Sequence, residues 1–117
     1  MAADAEATGG TVPIAYSRYM LDLNETIFEV DRQFEEITGY TREEVVGKMS
    51  QFDLIPPDDR AHYMIQVNRQ FTQGYGACLR HEILRKDGKR VQVACYGRRY
   101  YDSATKAYRS EIIIFRL

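Results

Sequence analysis

The chain has 117 residues, the size of one domain with one ordinary core and room for one modest cavity. Sixteen basic residues stand against seventeen acidic ones, a formal charge of −1, which argues against nucleic acid or an anionic membrane as the main partner. No apolar run reaches the ~20 residues of a membrane helix, so no membrane insertion is expected of this segment.

Residues 1–13 read as a flexible tail or linker, and residues 14–117 as the folded domain. Met1 to Gly10 lacks the basic start and apolar stretch of a secretory signal. Tyr16 to Leu23 mixes aromatic and apolar residues and predicts a strand. Asn24-Glu-Thr26 is a turn, and Ile27 to Val30 returns as a second strand. Asp31 then suits the N-cap of a short helix carrying Phe34 and Ile37 on one face. Gly39 closes that helix, because glycine takes the left-handed C′ conformation at little cost. Thr41 and Glu44 have capping-box spacing, with Val45 and Val46 behind them and Gly47 as the next stop.

Ser50 to Ile55 predicts another helical turn, ended at Pro56-Pro57. Asp58 or Asp59 is the expected cap of a longer helix reaching about Gln73. Met64, Val67 and Phe71 give that helix an apolar stripe, and Gly74 ends it. Gly76 to Arg85 and Lys89 to Tyr101 are strands around a tight turn. The basic run Arg85 to Arg90 falls on this turn and reads as a solvated hairpin tip. Tyr108 to Leu117, with Ile112-Ile-Ile-Phe115, is the most apolar strand, expected to be central and buried on both faces. Because Leu117 falls inside that apolar pattern, the chain reads as a domain cut from a longer protein.

Strands flanking a block of helices indicate an α+β sandwich, here one five-stranded antiparallel sheet with short helices on one face. A three-residue loop Lys86-Asp87-Gly88, with Gly88 left-handed, fixes the register of the hairpin. Leu79, His81 and Ile83 then share a face with Val91, Val93 and Cys95. A slip by one residue would turn Arg80 and Glu82 inward instead. This register puts Cys95 inside and Cys78 outside. The spacing of these two cysteines is no metal motif and makes no disulfide framework, so a reducing, cytoplasmic location is the default reading.

Candidate lining for an apolar space between sheet and helices is Phe34, Ile37, Met64, Val67, Leu79, His81, Val93, Cys95 and Ile114. Each also reads as ordinary core. Cys95 reads mainly as a small apolar residue. His81 could meet a ligand or hydrogen-bond a core tyrosine or carboxylate. The outer face, with Leu84, Tyr96 and Tyr100, is more apolar than wetting requires and is a candidate dimer interface. No phosphate loop, nucleophile elbow or histidine pair at metal spacing suggests an enzyme. Paired acids such as Glu35-Glu36 and Glu43-Glu44 read as helix-surface charge.

Val30-Asp31, Thr38-Gly39-Tyr40, Glu43-Glu44-Val45-Val46-Gly47, Pro57-Asp58-Asp59-Arg60 and Lys86-Asp87-Gly88, in that order, resemble a PAS domain over about Tyr19 to Leu117. The resemblance implies a profilin-like sheet flanked by short helices. It also implies a sensory or regulatory module of a larger, bacterial signalling protein. The partner would be an output domain of the same polypeptide, such as a diguanylate cyclase or the histidine kinase of a two-component system. A small ligand and a homodimer are both compatible with it. The family usually has asparagine where this chain has Asp31. It also usually has Asp-Ile-Thr after the last strand, a motif that does not appear before Leu117. Flavin photosensors of the family carry a reactive cysteine in the stretch matching Gly47 to Leu54, which has none here, so cysteinyl-flavin chemistry is not expected. Haem-binding members supply a histidine from the long helix. His62 is the weak candidate, displaced by one residue, or ~100° of helix rotation, from the ligand position. Glu44 and Lys86 match positions that in some members pair across a helix and the hairpin.

Overall fold

The computed structural model describes the backbone of residues 15–73 and 76–117 and the side chains of 15–70 and 78–117. The predicted tail at 1–13, the domain's start at residue 14, the Phe71 side chain and the helix stop at Gly74 lie outside the described residues.

Five strands form one antiparallel sheet: β1 Tyr16–Leu21, β2 Ile27–Val30, β3 Gly76–Leu84, β4 Arg90–Asp102 and β5 Ala107–Arg116. Their spatial order is β2-β1-β5-β4-β3. Between β2 and β3 come α1 Gln33–Thr38, α2 Arg42–Val45, two 3-10 turns at Gln51–Leu54 and Pro57–Asp59, and α3 Arg60–Gln73. This is the predicted α+β architecture.

The β3–β4 turn sets the inward face. Gly88 lies at φ 86°, a left-handed conformation that only glycine adopts freely. The Arg85 N–H donates to the Lys89 carbonyl at 2.9 Å, leaving Lys86 to Gly88 as the loop. Leu79 therefore faces Cys95, His81 faces Val93 and Ile83 faces Val91, in the predicted register. Ile83 and Val93 are fully buried, and they pack with Leu21, Ile27, Phe34 and Ile114 in a single core.

β5 is central as predicted, but it is not buried on both faces. Ser110, Ile112 and Ile114 are buried, whereas Ile113 is half-buried and Phe115 is 38% exposed. Helices cover one face only, so even the middle strand keeps a wetted side.

The helical block is tied to the sheet by Asp31. Arg32 holds the half-in position before α1 and makes no side-chain cap bond. Asp31, one residue earlier, supplies the cap: its Oδ1 accepts from the Phe34 N–H at 3.1 Å. The same oxygen accepts from the Ser17 hydroxyl at 2.7 Å, and Oδ2 accepts from the Arg18 N–H at 2.8 Å. One carboxylate thus starts α1 and anchors it to β1. Gly39 (φ 81°) ends α1, and the Thr41/Glu44 capping box opens α2.

Neither Asp58 nor Asp59 caps α3. Pro57 opens a 3-10 turn that contains both. Proline has no N–H to leave unpaired and its φ is preset for helix, so the turn starts there without a side-chain cap. The two carboxylates face Arg90 instead, at 3.0 and 3.8 Å.

Replacing Asp31 by alanine removes the acceptor of the fully buried Ser17 hydroxyl and of the Arg18 N–H, whereas the Phe34 N–H keeps the Asp31 carbonyl at 3.3 Å. Urea unfolding of Asp31→Ala is expected to show a loss of about 2–3 kcal/mol. Asp31→Asn keeps an accepting oxygen and is expected to lose about half of that.

Candidate functional site

The space between α3 and the sheet is nearly full. Tyr63 is the only buried side chain among the described residues of α3, at 5% exposure. It closes a polar chain across the core. The Tyr19 hydroxyl donates to Gln51 Oε1 at 3.1 Å, and Gln51 Nε2 donates to the Tyr63 hydroxyl at 2.9 Å. Cys95 lies beside Tyr63. Burial pushes both tyrosine hydroxyls well above their ordinary range. It also pushes the Cys95 thiol up to about 12. Cys95 is therefore a neutral, poorly nucleophilic thiol.

Beside this chain lies a cavity of about 20 Å³, bordered by Leu21, Tyr63, Val67, Leu79, Cys95, Gly97 and Ile112. It holds nothing larger than a water-sized molecule. Gly97 is one reason it exists: a Cβ there would stand 2.9 Å from Ile112 Cδ1. Glu25 and Arg99 border the same cavity. Burial raises the Glu25 carboxyl, and Arg99 opposes that shift.

Of the predicted lining residues, Val67, Leu79 and Cys95 meet at this cavity. Phe34, Ile37, Val93 and Ile114 are solid core away from it. Met64 is 39% exposed and borders neither the cavity nor the core, a correction to the predicted stripe. The inward side of α3 follows Tyr63 and Val67, one residue out of phase with Met64, and one residue is ~100° on a helix. Gln51 escaped the sequence reading because a glutamine gives no sign of burial until both tyrosines are in place.

His81 lines a second, open groove of about 680 Å³ between α3 and β3. Its ring meets Tyr63 edge-on, with centroids 4.9 Å apart. Nδ1 lies 2.9 Å from the Glu82 carbonyl, which can only accept, so Nδ1 carries the proton. Nε2 is then a buried acceptor, and it has no partner among the described residues. Desolvation lowers the His81 pKa. His62 is exposed and borders the same open groove rather than the interior cavity. The Glu44–Lys86 ion pair forms and raises the Lys86 pKa while lowering that of Glu44. Among the described residues no cluster of side chains has metal-binding geometry, and no helix is long and apolar enough to cross a membrane.

On the outer face Tyr96 is 43% exposed, Leu84 and Tyr100 are half-buried, and Tyr16 lies 6.0 Å from Phe115. Glu111 bridges Arg18 and Arg98, the latter at 2.6 Å. Both guanidiniums hold its carboxyl below the usual range.

The model of the PAS fold family matches residues 27–114. The chain belongs to the PAS fold family. PAS domains are sensory modules and generally non-catalytic, and nothing assigns this one to a catalytic family. Solved PAS structures share its topology. A PAS domain from Colwellia psychrerythraea aligns at TM-score 0.79 and 19% identity, over 87% of this chain and 86% of that one. A PAS domain from a two-component sensor histidine kinase aligns at 0.73 and 14%, over 88% and 86%. The PAS-B domain of Drosophila melanogaster Cycle, with bound glycerol, aligns at 0.71 and 15%, over 86% and 99%. No curated protein sequence matches the chain.

Because the folded-state pKa of His81 lies below its unfolded value near ~6.5, the unfolded chain binds the extra proton first. Stability therefore falls as pH drops through that window. Urea unfolding at about pH 7.5 and about pH 6, above the carboxylate range, is expected to show a loss of under about 1 kcal/mol that His81→Phe removes.

Proposed function

We propose that this PAS domain is the sensory or regulatory part of a larger cytoplasmic signal-transduction protein. It would control an output domain such as a histidine kinase or diguanylate cyclase. The signal enters under α3. The observation that carries this reading is the way α3 is held: among its described side chains one buried tyrosine, on a polar chain, over a small cavity. A helix whose described residues bury so little apolar surface is readily lifted. A small ligand entering beside Cys95 would have to raise α3 to gain volume. It would thereby favour a second packing of helix on sheet, and flanking segments would read that population shift. Val67, Leu79 and Cys95 are its proposed contacts. The inner residues offer apolar walls with amide and hydroxyl partners, so the fitting ligand is small and mostly apolar with one polar group.

Cys95 reports the state of this helix. In a Cys78→Ser background, iodoacetamide is expected to label Cys95 only slowly. A compound that raises the melting temperature in a thermal-shift screen should change that rate, because it acts on the same helix. If stabilising compounds leave Cys95 labelling unchanged and bind elsewhere, the reading fails.

A second reading, compatible with the first, is assembly through the outer sheet face. Its support is the exposed Tyr16, Phe115 and Tyr96 stripe, since exposed apolar clusters mark interfaces. Sedimentation is expected to show a dimer for the parent domain and a monomer for Tyr96→Lys. A parent that stays monomeric at high concentration removes this reading.

A further inference from the structure

The two edges of the sheet are treated differently. At β2 the edge is covered by the chain itself. Ile27 N–H donates to the Met49 carbonyl at 3.0 Å, Gly47 N–H to the Ile27 carbonyl at 2.9 Å, and Gln51 N–H to the Glu25 carbonyl at 2.9 Å. At β3 no further strand pairs among the described residues. In an antiparallel ladder alternate residues turn both backbone groups away from their partner strand. Leu79, His81, Ile83 and Arg85 bond towards β4, so Cys78, Arg80 and Glu82 present theirs to the open side.

Side chains occupy part of this edge. Gln70 of α3 imitates a strand at Cys78: its Oε1 accepts from the Cys78 N–H at 2.7 Å, and its Nε2 donates to the Cys78 carbonyl at 3.0 Å. His81 Nδ1 takes the Glu82 carbonyl. Between them the Arg80 backbone groups that point away from β4 have no partner among the described residues. The Arg80 guanidinium, exposed on the outer face, also has no ion pair or hydrogen bond among the described residues. The open rung lies on the 680 Å³ groove, which α3 walls on the other side.

We propose that this groove accepts an extended peptide as a sixth strand beside β3, with an acidic side chain set against Arg80. Adding a strand to a sheet edge draws affinity from main-chain bonds and specificity from alternate side chains. A residue directly opposite Arg80 shares its face, so its carboxylate meets the unpaired guanidinium. The residues on either side of it point inward, towards Leu79, His81 and Tyr63, and are apolar. The recognised pattern is apolar–acidic–apolar. Between Cys78 and Glu82 the edge spans ~14 Å at about 3.4 Å per residue, which suits a segment of about four or five residues. The groove shares Tyr63 and Leu79 with the cavity under α3, but the backbone rung and the Arg80 side chain that would hold the peptide do not border that cavity.

The test is an amide-resolved NMR titration of the whole chain with the blocked pentapeptide Thr-Val-Glu-Val-Thr at millimolar concentration. The Arg80 and Glu82 amides are expected to shift, and exchange of the Arg80 amide to slow about tenfold. The same peptide N-methylated at its central residue should not bind. A central lysine should weaken binding about fivefold or more, and Arg80→Glu should reverse that preference. Gln70→Ala frees the Cys78 rung and should tighten binding. Unmoved Arg80 and Glu82 amides, equal binding of the N-methylated peptide, or shifts confined to the outer-face tyrosines would overturn the proposal.

Discussion

The structure depends first on the turn at Gly88. A left-handed residue there fixes which side chains of β3 and β4 point inward, because strand faces alternate with period two. Everything inside the sandwich follows: Ile83 and Val93 reach zero exposure, Cys95 comes up under α3, and Arg80 and Glu82 stay outside. A slip of one residue would place a guanidinium and a carboxylate in the core, and burying unpaired charge costs far more than a turn can return.

Asp31 is the complementary constraint on the other half of the molecule. The hairpin decides the inner face of the sheet, and this carboxylate decides where the helices land on it. It binds the hydroxyl and the amide of two successive β1 residues while starting α1. The resemblance noted in the sequence would place asparagine at this position. Asparagine preserves an acceptor but offers an N–H₂ where Asp31 presents its second oxygen.

Much of this was legible in the sequence, and the reason is local. Gly39, Gly88, the Thr41/Glu44 box and the alternation through β3 and β4 are rules of spacing within a few residues. The structure departs from the sequence reading where the answer lies between distant segments. The phase of α3 depends on Gln51 and Tyr19, which reach Tyr63 from a 3-10 turn and from β1. Apolar Met64 and Ile65 therefore face solvent while a tyrosine is buried. The outer side of β5 stays wet because helices cover only one face, a property of the whole sandwich. The cavity's small volume is a sum over many side chains, and no single residue announces it.

Arg85 carries one more consequence. Its guanidinium donates to the Glu36 and Ile37 carbonyls at 2.9 and 2.7 Å, and the Lys86 N–H reaches the Thr38 carbonyl at 2.9 Å. α1 has only six residues, too few to persist alone in water. The groups that complete its last turn are made nearly fifty positions later in the chain. During synthesis this helix thus emerges well before the segment that secures it. Early and late halves of the polypeptide are obliged to fold as a single cooperative unit.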